Sequence, residues 1–427
     1  MRVERIGVSR SAPEVLRSIA AAAARLNLPS PAALTGAWFG SRAVIAPSVA
    51  IEAVDPGAVF DVFPGGPSEA IGGGWIGYLS YPDAGRDGAS PRIPEAAGGW
   101  TDDVLRQDAN GHWWYESLSG ASAPQWLLDA LTIDAVAIDA PAVDALASHC
   151  DVQWNQADRD EHRTGVEACL EAIAAGEVYQ ACVCTQMIGT ATGSTVDFFA
   201  DAVARTAPAR AAFVAGAWGA VASLSPELFL RRVGEDVTSS PIKGTLPLTE
   251  SPAVLRDSVK DVAENIMIVD LVRNDLGRVA VTGSVGVPEL LVVRRAPGVW
   301  HLVSTVTARI GVDVPMSTVL DATFPPASVT GTPKDRAREL LVTWEPARRG
   351  IYCGTIGLAS PLAGTELNVA IRTVEFDAAG NAVLGIGGGI TADSDPDAEW
   401  RECLHKAAPI VDASVARTQD RVVELTP

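Results

Sequence analysis

Pro241-Ile242-Lys243-Gly244-Thr245 lies between Ser225-Pro226-Glu227 upstream and Glu264-Asn265-Ile266-Met267-Ile268-Val269-Asp270-Leu271 downstream, and the rest of the chain makes sense from there. Leu228-Phe229-Leu230-Arg231-Arg232-Val233 reads as a strand. Pro241 and Gly244 bracket a turn that holds Lys243 in one place. Residues 259–274 read as a helix with Val262, Ile266 and Val269 on one face. Asp261 and Glu264, three apart, share a face of that helix. A lysine fixed between carboxylates suggests a constructed site. The plainer alternatives are a surface turn whose lysine points into water and a solvated helix face.

Working outward, 427 residues are enough to bury a large core and suggest two or three domain-sized units. Apolar residues make up 48% and charged residues 20%, the composition of a globular chain. Acidic residues outnumber basic ones 52 to 33, for a net charge of -19, which argues against nucleic-acid and anionic-membrane binding. A small anionic substrate would need local positive charge from lysines, an arginine or a divalent metal. Met1 to Arg10 is charged and mixed, so no signal peptide is read and a cytoplasmic location is expected. The alanine run 20–24 is too short to span a membrane. Six cysteines are scattered. Cys182 and Cys184 would share one face of a strand, and with no histidine beside them buried thiols are expected rather than zinc.

In chain order, Ser11-Ala12-Pro13 starts a helix over 13–26, and short strands are expected between Phe39 and Phe63. Gly72 to Tyr81 reads as a glycine-rich strand, and His112 to Tyr115 as another. Helix is expected near 124–131, in a stretch up to Cys150 that otherwise reads as a connection. A sequence boundary is placed near residue 150, giving regions 1–150 and 151–427. Asp158 caps a helix over 158–175 with Val166, Leu170 and Ile173 on one face. Trp300 to Val306, Gly350 to Gly357 and Leu367 to Thr373 read as strands, the last with Arg372 opposite its apolar row. Gly385 to Gly389 reads as a loop or bulged strand end. Asp395-Pro396 opens a last helix in which Glu399, Glu402 and Lys406 make one continuous face.

These motifs resemble the chorismate-utilising enzymes over most of the chain after Asp158. The segments Gly176-Glu177-Val178-Tyr179-Gln180, His301-Leu302-Val303-Ser304 and Phe324 to Lys334 carry the likeness, with Glu-x-x-Glu-x-x-x-Lys in the last helix. Pro-Ile-Lys-Gly-Thr is the form of the aminodeoxychorismate synthase branch; anthranilate synthases have alanine at the Lys243 position. Four positions depart from the family pattern: Cys182 replaces asparagine, Pro326 and Ala327 replace two glycines, and Thr332 replaces alanine. Losing the glycines should stiffen that loop. No lysine lies between Tyr179 and Gln186, where isochorismate and salicylate synthases have one that activates water.

The resemblance implies an α+β fold of two packed, largely antiparallel sheets flanked by helices, and a Mg2+-dependent amination of chorismate. It implies Glu264 and Glu402 as metal ligands, with Asp261 and Glu399 acting through water. Tyr352, Arg372, Thr245, Lys406 and the backbone of Gly387, Gly388 and Gly389 would hold the substrate, with His301 near the reacting ring. Glu227 would be the general acid, and burial should raise its pKa. Lys243 would form a covalent adduct; it must be uncharged to attack, which burial or a nearby cation favours. Ammonia would come from a separate glutamine amidotransferase subunit. The alternatives are an anthranilate synthase large subunit and a catalytically silent regulatory homologue; retention of the whole constellation argues against the second.

Overall fold

The computed structural model describes residues 1–83, 90–132 and 150–413. Ala33, Ala43, Ile45, Ala211 and Phe213 join one apolar cluster, while their neighbours Ala32, Leu34, Val44, Ala46, Ala212 and Val214 join another. Successive side chains of a strand point to opposite faces, so these strands are covered on both sides. Helices cover one side, through Val15, Leu16, Ile19, Phe198, Phe199, Cys403 and Ala407. A second sheet covers the other, through Ile76, Tyr78, Ile356 and Leu358.

Among the described residues the first sheet has twelve strands. In spatial order they are Arg2–Ile6, Trp113–Ser117, Asp103–Gln107, Ser41–Ala46, Ala32–Trp38, Arg210–Gly216, Gly219–Ser225, Thr373–Asp377, Asn381–Ile390, Gln180–Gly193 and Gly331–Thr332, with Cys150–Trp154 also paired to Gln180–Gly193. The ten strands of the second run Ile242–Pro247, Val299–Arg309, Asp236–Ser240, Leu228–Val233, Gly364–Asn368, Thr355–Ser360, Gly74–Leu79, Ala96–Thr101 and Glu52–Ala53, with Gly286–Ala296 against Val299–Arg309. Every pairing for which a register is defined is antiparallel. Two packed antiparallel sheets flanked by helices are the expected architecture. Strands from either side of residue 150 share both sheets; residues 133–149, most of the expected connection, lie outside the described residues.

The expected helix starts are found. Asp158 accepts from the Glu161 N–H at 3.0 Å, Ser258 from Asp261 at 3.2 Å and Asp395 from Ala398 at 2.8 Å. Each satisfies a backbone donor the first turn would leave bare.

Four local expectations are corrected. On the helix Val259–Gly277, Ile266 is 46% exposed, and the buried face instead carries Glu264, Asn265, Ile268, Val272 and Asp275. Residues 350–354 form a turn before the strand Thr355–Ser360. The strand expected over 367–373 ends at Asn368, and Arg372 sits in a second turn with φ +52°. Gly385 to Gly389 are neither loop nor strand end; they run through the strand Asn381–Ile390, paired along its length with Gln180–Gly193.

Candidate active site

Two strands and two helices converge here. The glycine strand Asn381–Ile390 belongs to the first sheet and the lysine strand Ile242–Pro247 to the second. The helix Val259–Gly277 packs on the lysine strand, and the last helix, Pro396–Ala413, packs on the glycine strand. Trp400, Cys403, Ala407 and Val411 bury the inner face of the last helix. That burial orients its polar residues.

The missing side chains of two glycines show what meets there. A Cβ on Gly389 would lie 2.6 Å from Glu264 Oε1 and 3.2 Å from Lys243 Nζ. One on Gly388 would lie 3.2 Å from Glu399 Oε2 and 3.7 Å from Lys406 Nζ. Lys243 and Glu264 therefore meet over one residue of the strand, and Glu399 and Lys406 over its neighbour. Lys406 Nζ donates to the Gly387 carbonyl at 3.0 Å and pairs with Glu402 at 2.8 Å. Gly244 has φ +80° and its open side faces Asp261, so a β-carbon there would meet both backbone strain and a side chain.

Burial of Glu264 rules out a solvated helix face there, whereas Asp261 is partly buried and the Glu402 side chain is about half exposed. Glu264 is 6% exposed, and its Oε1 has no hydrogen-bond partner. Glu399 is held by Lys260 at 2.8 Å and by the Ser394 hydroxyl at 2.6 Å. Burial pushes Glu402 upward, but Lys406, Lys260 and Lys243 together bring its pKa below the usual carboxylate value. Among the described residues, no three His, Cys, Asp or Glu side chains are grouped to hold a metal ion. Asp261, Glu264, Glu399 and Glu402 thus surround one region without forming a closed ligand set. The unpartnered, buried Glu264 Oε1 is the kind of hard oxygen donor a divalent cation such as Mg2+ takes, although ammonium groups of Lys243, Lys260 and Lys406 share the region.

On the other side of Lys243 lies Glu227, 3% exposed. Burial raises its pKa to about 7, against the opposing pull of the Ser328 hydroxyl, Lys243, the Ile242 N–H and Arg372. The expected raised carboxyl is present. The Ile242 N–H reaches Glu227 Oε1 at 3.5 Å. Arg372 acts electrostatically on both Glu227 and Tyr352, so the expected pair does sit together. Two backbone bonds between their turns hold it, Cys353 N–H to Ala370 O at 2.9 Å and Ala370 N–H to Gly354 O at 2.8 Å. Gly385 has a different role from the other glycines: its bare Cα leaves room for the Tyr352 ring.

His301 is 5% exposed, and its Nδ1 lies 2.9 Å from the Thr245 hydroxyl across the paired strands. Burial, reinforced by Arg372, lowers its pKa to about 4, so at neutral pH it is an uncharged imidazole. Cys182 and Cys184 lie on one strand face as expected, their sulfurs 3.8 Å apart, and all six cysteines are buried and free.

Sequence reasoning did not identify Lys260 or Ser394, which hold Glu399, nor Ser328 beside Glu227. A lysine in a helix's first turn and serines in loops read as solvated, and only the distant partner reveals their role. Gln180 is another: it is fully buried with neither amide atom partnered. Buried polar atoms without partners are uncommon in folded proteins.

A site lined by acid, amine and guanidinium between two antiparallel sheets suits a small anionic substrate. The chorismate binding enzyme family matches residues 53–412, and the chain belongs to that family. Aminodeoxychorismate synthase component 1 of Escherichia coli is 39% identical over 260 residues, which cover 59% of this chain and 57% of that protein. The aminodeoxychorismate synthase of Streptomyces pristinaespiralis is 37% identical over 361 residues, covering 78% of this chain and 50% of that one. The chain thus spans about half the length of these curated relatives. Among solved structures, anthranilate synthase component I from Streptococcus pneumoniae superposes with a TM-score of 0.69 at 24% identity, covering 90% of each chain, a likeness of fold.

Proposed function

We propose that this chain aminates chorismate to 4-amino-4-deoxychorismate, taking ammonia from a separate glutamine amidotransferase subunit and serving the para-aminobenzoate branch of folate synthesis. The observation that carries this reading is an amine and a near-neutral carboxyl in one enclosed group: Lys243 acts directly on Glu227, whose pKa is about 7. The names of the relatives point the same way.

Arg372 and Tyr352 bind the enolpyruvyl carboxylate; a planar, permanently charged fork suits that task. Lys406 and the backbone of Gly387 to Gly389 receive the ring carboxylate, while His301, uncharged and oriented by Thr245, sits beside the ring. Glu264 and Glu402 would hold Mg2+ directly, with Asp261 and Glu399 behind water. Bound there, the metal supplies Lewis-acid stabilisation of charge on the ring carboxylate.

Lys243, as the free amine, forms a C–N bond to the ring as the ring double bonds shift. The ring C–O bond breaks, and Glu227 gives its proton to the departing hydroxyl, which leaves as water. Ammonia then bonds to the carbon that carried the hydroxyl, and the bond to Lys243 breaks. The new ammonium returns a proton to Glu227. Two displacements explain how the amine arrives at the original carbon.

Lys243→Ala should abolish amination of chorismate by ammonium in the presence of Mg2+, assayed chromatographically. Undiminished product from that variant would overturn the covalent role.

A further inference from the structure

The loop 324–330 departs from the family pattern at Pro326 and Ala327, and no role has yet been given to it. Buried cations hold both of its ends. Lys334 Nζ donates to the Thr323 carbonyl at 3.0 Å and the Pro325 carbonyl at 2.9 Å, and pairs with Asp275 at 2.5 Å. Arg349 donates to the Val329 carbonyl at 2.7 Å and to the Cys182 carbonyl at 2.6 Å, and pairs with Glu345 at 2.6 Å. Between the clamps, Ala327, Ser328 and Val329 form a buried single turn.

That turn delivers one polar group to the site. Ser328 is 7% exposed, and its hydroxyl makes no hydrogen bond of ordinary geometry. Ser328 and Glu227 line the same cavity, about 20 Å³ in volume, with Ser239, Asp275 and otherwise largely apolar residues. Such a volume holds about one water molecule. Loops rarely bury a hydroxyl in apolar surroundings without a use for it, since desolvating it costs about 1–3 kcal/mol.

We propose that Ser328 is a positioning residue for Glu227: the doubly clamped loop presents its hydroxyl to the Glu227 carboxyl and favours the ionised form. The importance of that bias rests on the general-acid role given to Glu227 above. Other groups facing this carboxyl are Lys243 and the Ile242 N–H from the lysine strand and Arg372 from its turn. Asp275, from the neighbouring helix, shares the cavity but is paired with Lys334. None of these side chains is changed by substituting Ser328, so the hydroxyl can be varied alone.

The test is a 13C NMR titration of the glutamate carboxyl carbons in the full chain, with Glu227→Gln to assign the signal. In Ser328→Ala the Glu227 midpoint should rise by about half a pH unit or more, because a donor to the carboxylate is lost. Ser328→Thr, which keeps the hydroxyl, should restore it; if the alanine variant does not fold, Ser328→Cys replaces it. An unchanged or lowered midpoint in the alanine variant would overturn the proposal. So would equal shifts in the alanine and threonine variants, which would mark a disturbed loop rather than a lost donor. The titration needs no turnover, so it stands apart from the reaction assigned to the site. If the predicted shift is seen in a protein that does not aminate chorismate, only that assignment fails.

Discussion

At the residue scale, burying Glu227 carries an electrostatic cost. Burial raises its pKa from 4.5 to about 7, so the folded state binds a proton that the unfolded chain has released. Its contribution to stability is therefore greatest below about pH 4.5 and is lost as pH rises through about 7. Glu227→Gln should raise the melting temperature relative to the parent at pH 8 more than at pH 5, by calorimetry. As a general acid, the same group predicts amination falling above about pH 7, a limb absent in the glutamine variant. Gly389 provides a separate test. The nearest atoms to its would-be β-carbon are the ends of two flexible side chains, Glu264 and Lys243. Gly389→Ala should thus reduce amination more than about tenfold, the equivalent of 1.4 kcal/mol, by displacing Lys243 and Glu264. Its melting temperature should move little. These residues were recognised in the sequence through family motifs. Spacing alone left Lys243 in a possible surface turn and Glu264 on a possible solvated face.

At the scale of elements, the helix Val259–Gly277 shows why the sequence was only partly legible. Its existence and approximate start were readable from the helical period, while the Ser258 cap became visible only in the structure. Its buried face was misjudged because apolar periodicity is blind to buried Glu264, Asn265 and Asp275. Arg372 was assigned to a strand for a related reason: alternation continues through Ile371, whereas the chain turns there through a left-handed residue. Strand order across the two sheets was not readable at all, since pairing partners lie hundreds of residues apart. The ion pair Lys334–Asp275 ties this helix to the loop after Thr323, with both side chains almost buried. Lys334→Met would leave Asp275 unpaired and should cost about 3–5 kcal/mol in urea unfolding at neutral pH. The deficit should shrink on acidification, because burial has already raised the Asp275 pKa. Changing both residues to apolar ones of similar size should recover most of the loss.

For the whole molecule, both sheets are completed by strands from the first third of the chain. A fragment 151–427 would strip Thr355–Ser360 of Gly74–Leu79 and Arg210–Gly216 of Ala32–Trp38. It should lack a cooperative thermal transition; a sharp transition near that of the full chain would show that the two regions fold independently. The full chain places an amine, a protonatable carboxyl and an arginine–tyrosine pair between those sheets, and the assigned reaction depends on all of them. The most direct test is to incubate purified protein with chorismate, Mg2+ and ammonium and to identify the products by mass spectrometry. An aminated product that keeps its enolpyruvyl group is predicted. Anthranilate released with pyruvate would contradict the account, because amination would then occur elsewhere on the ring despite Lys243.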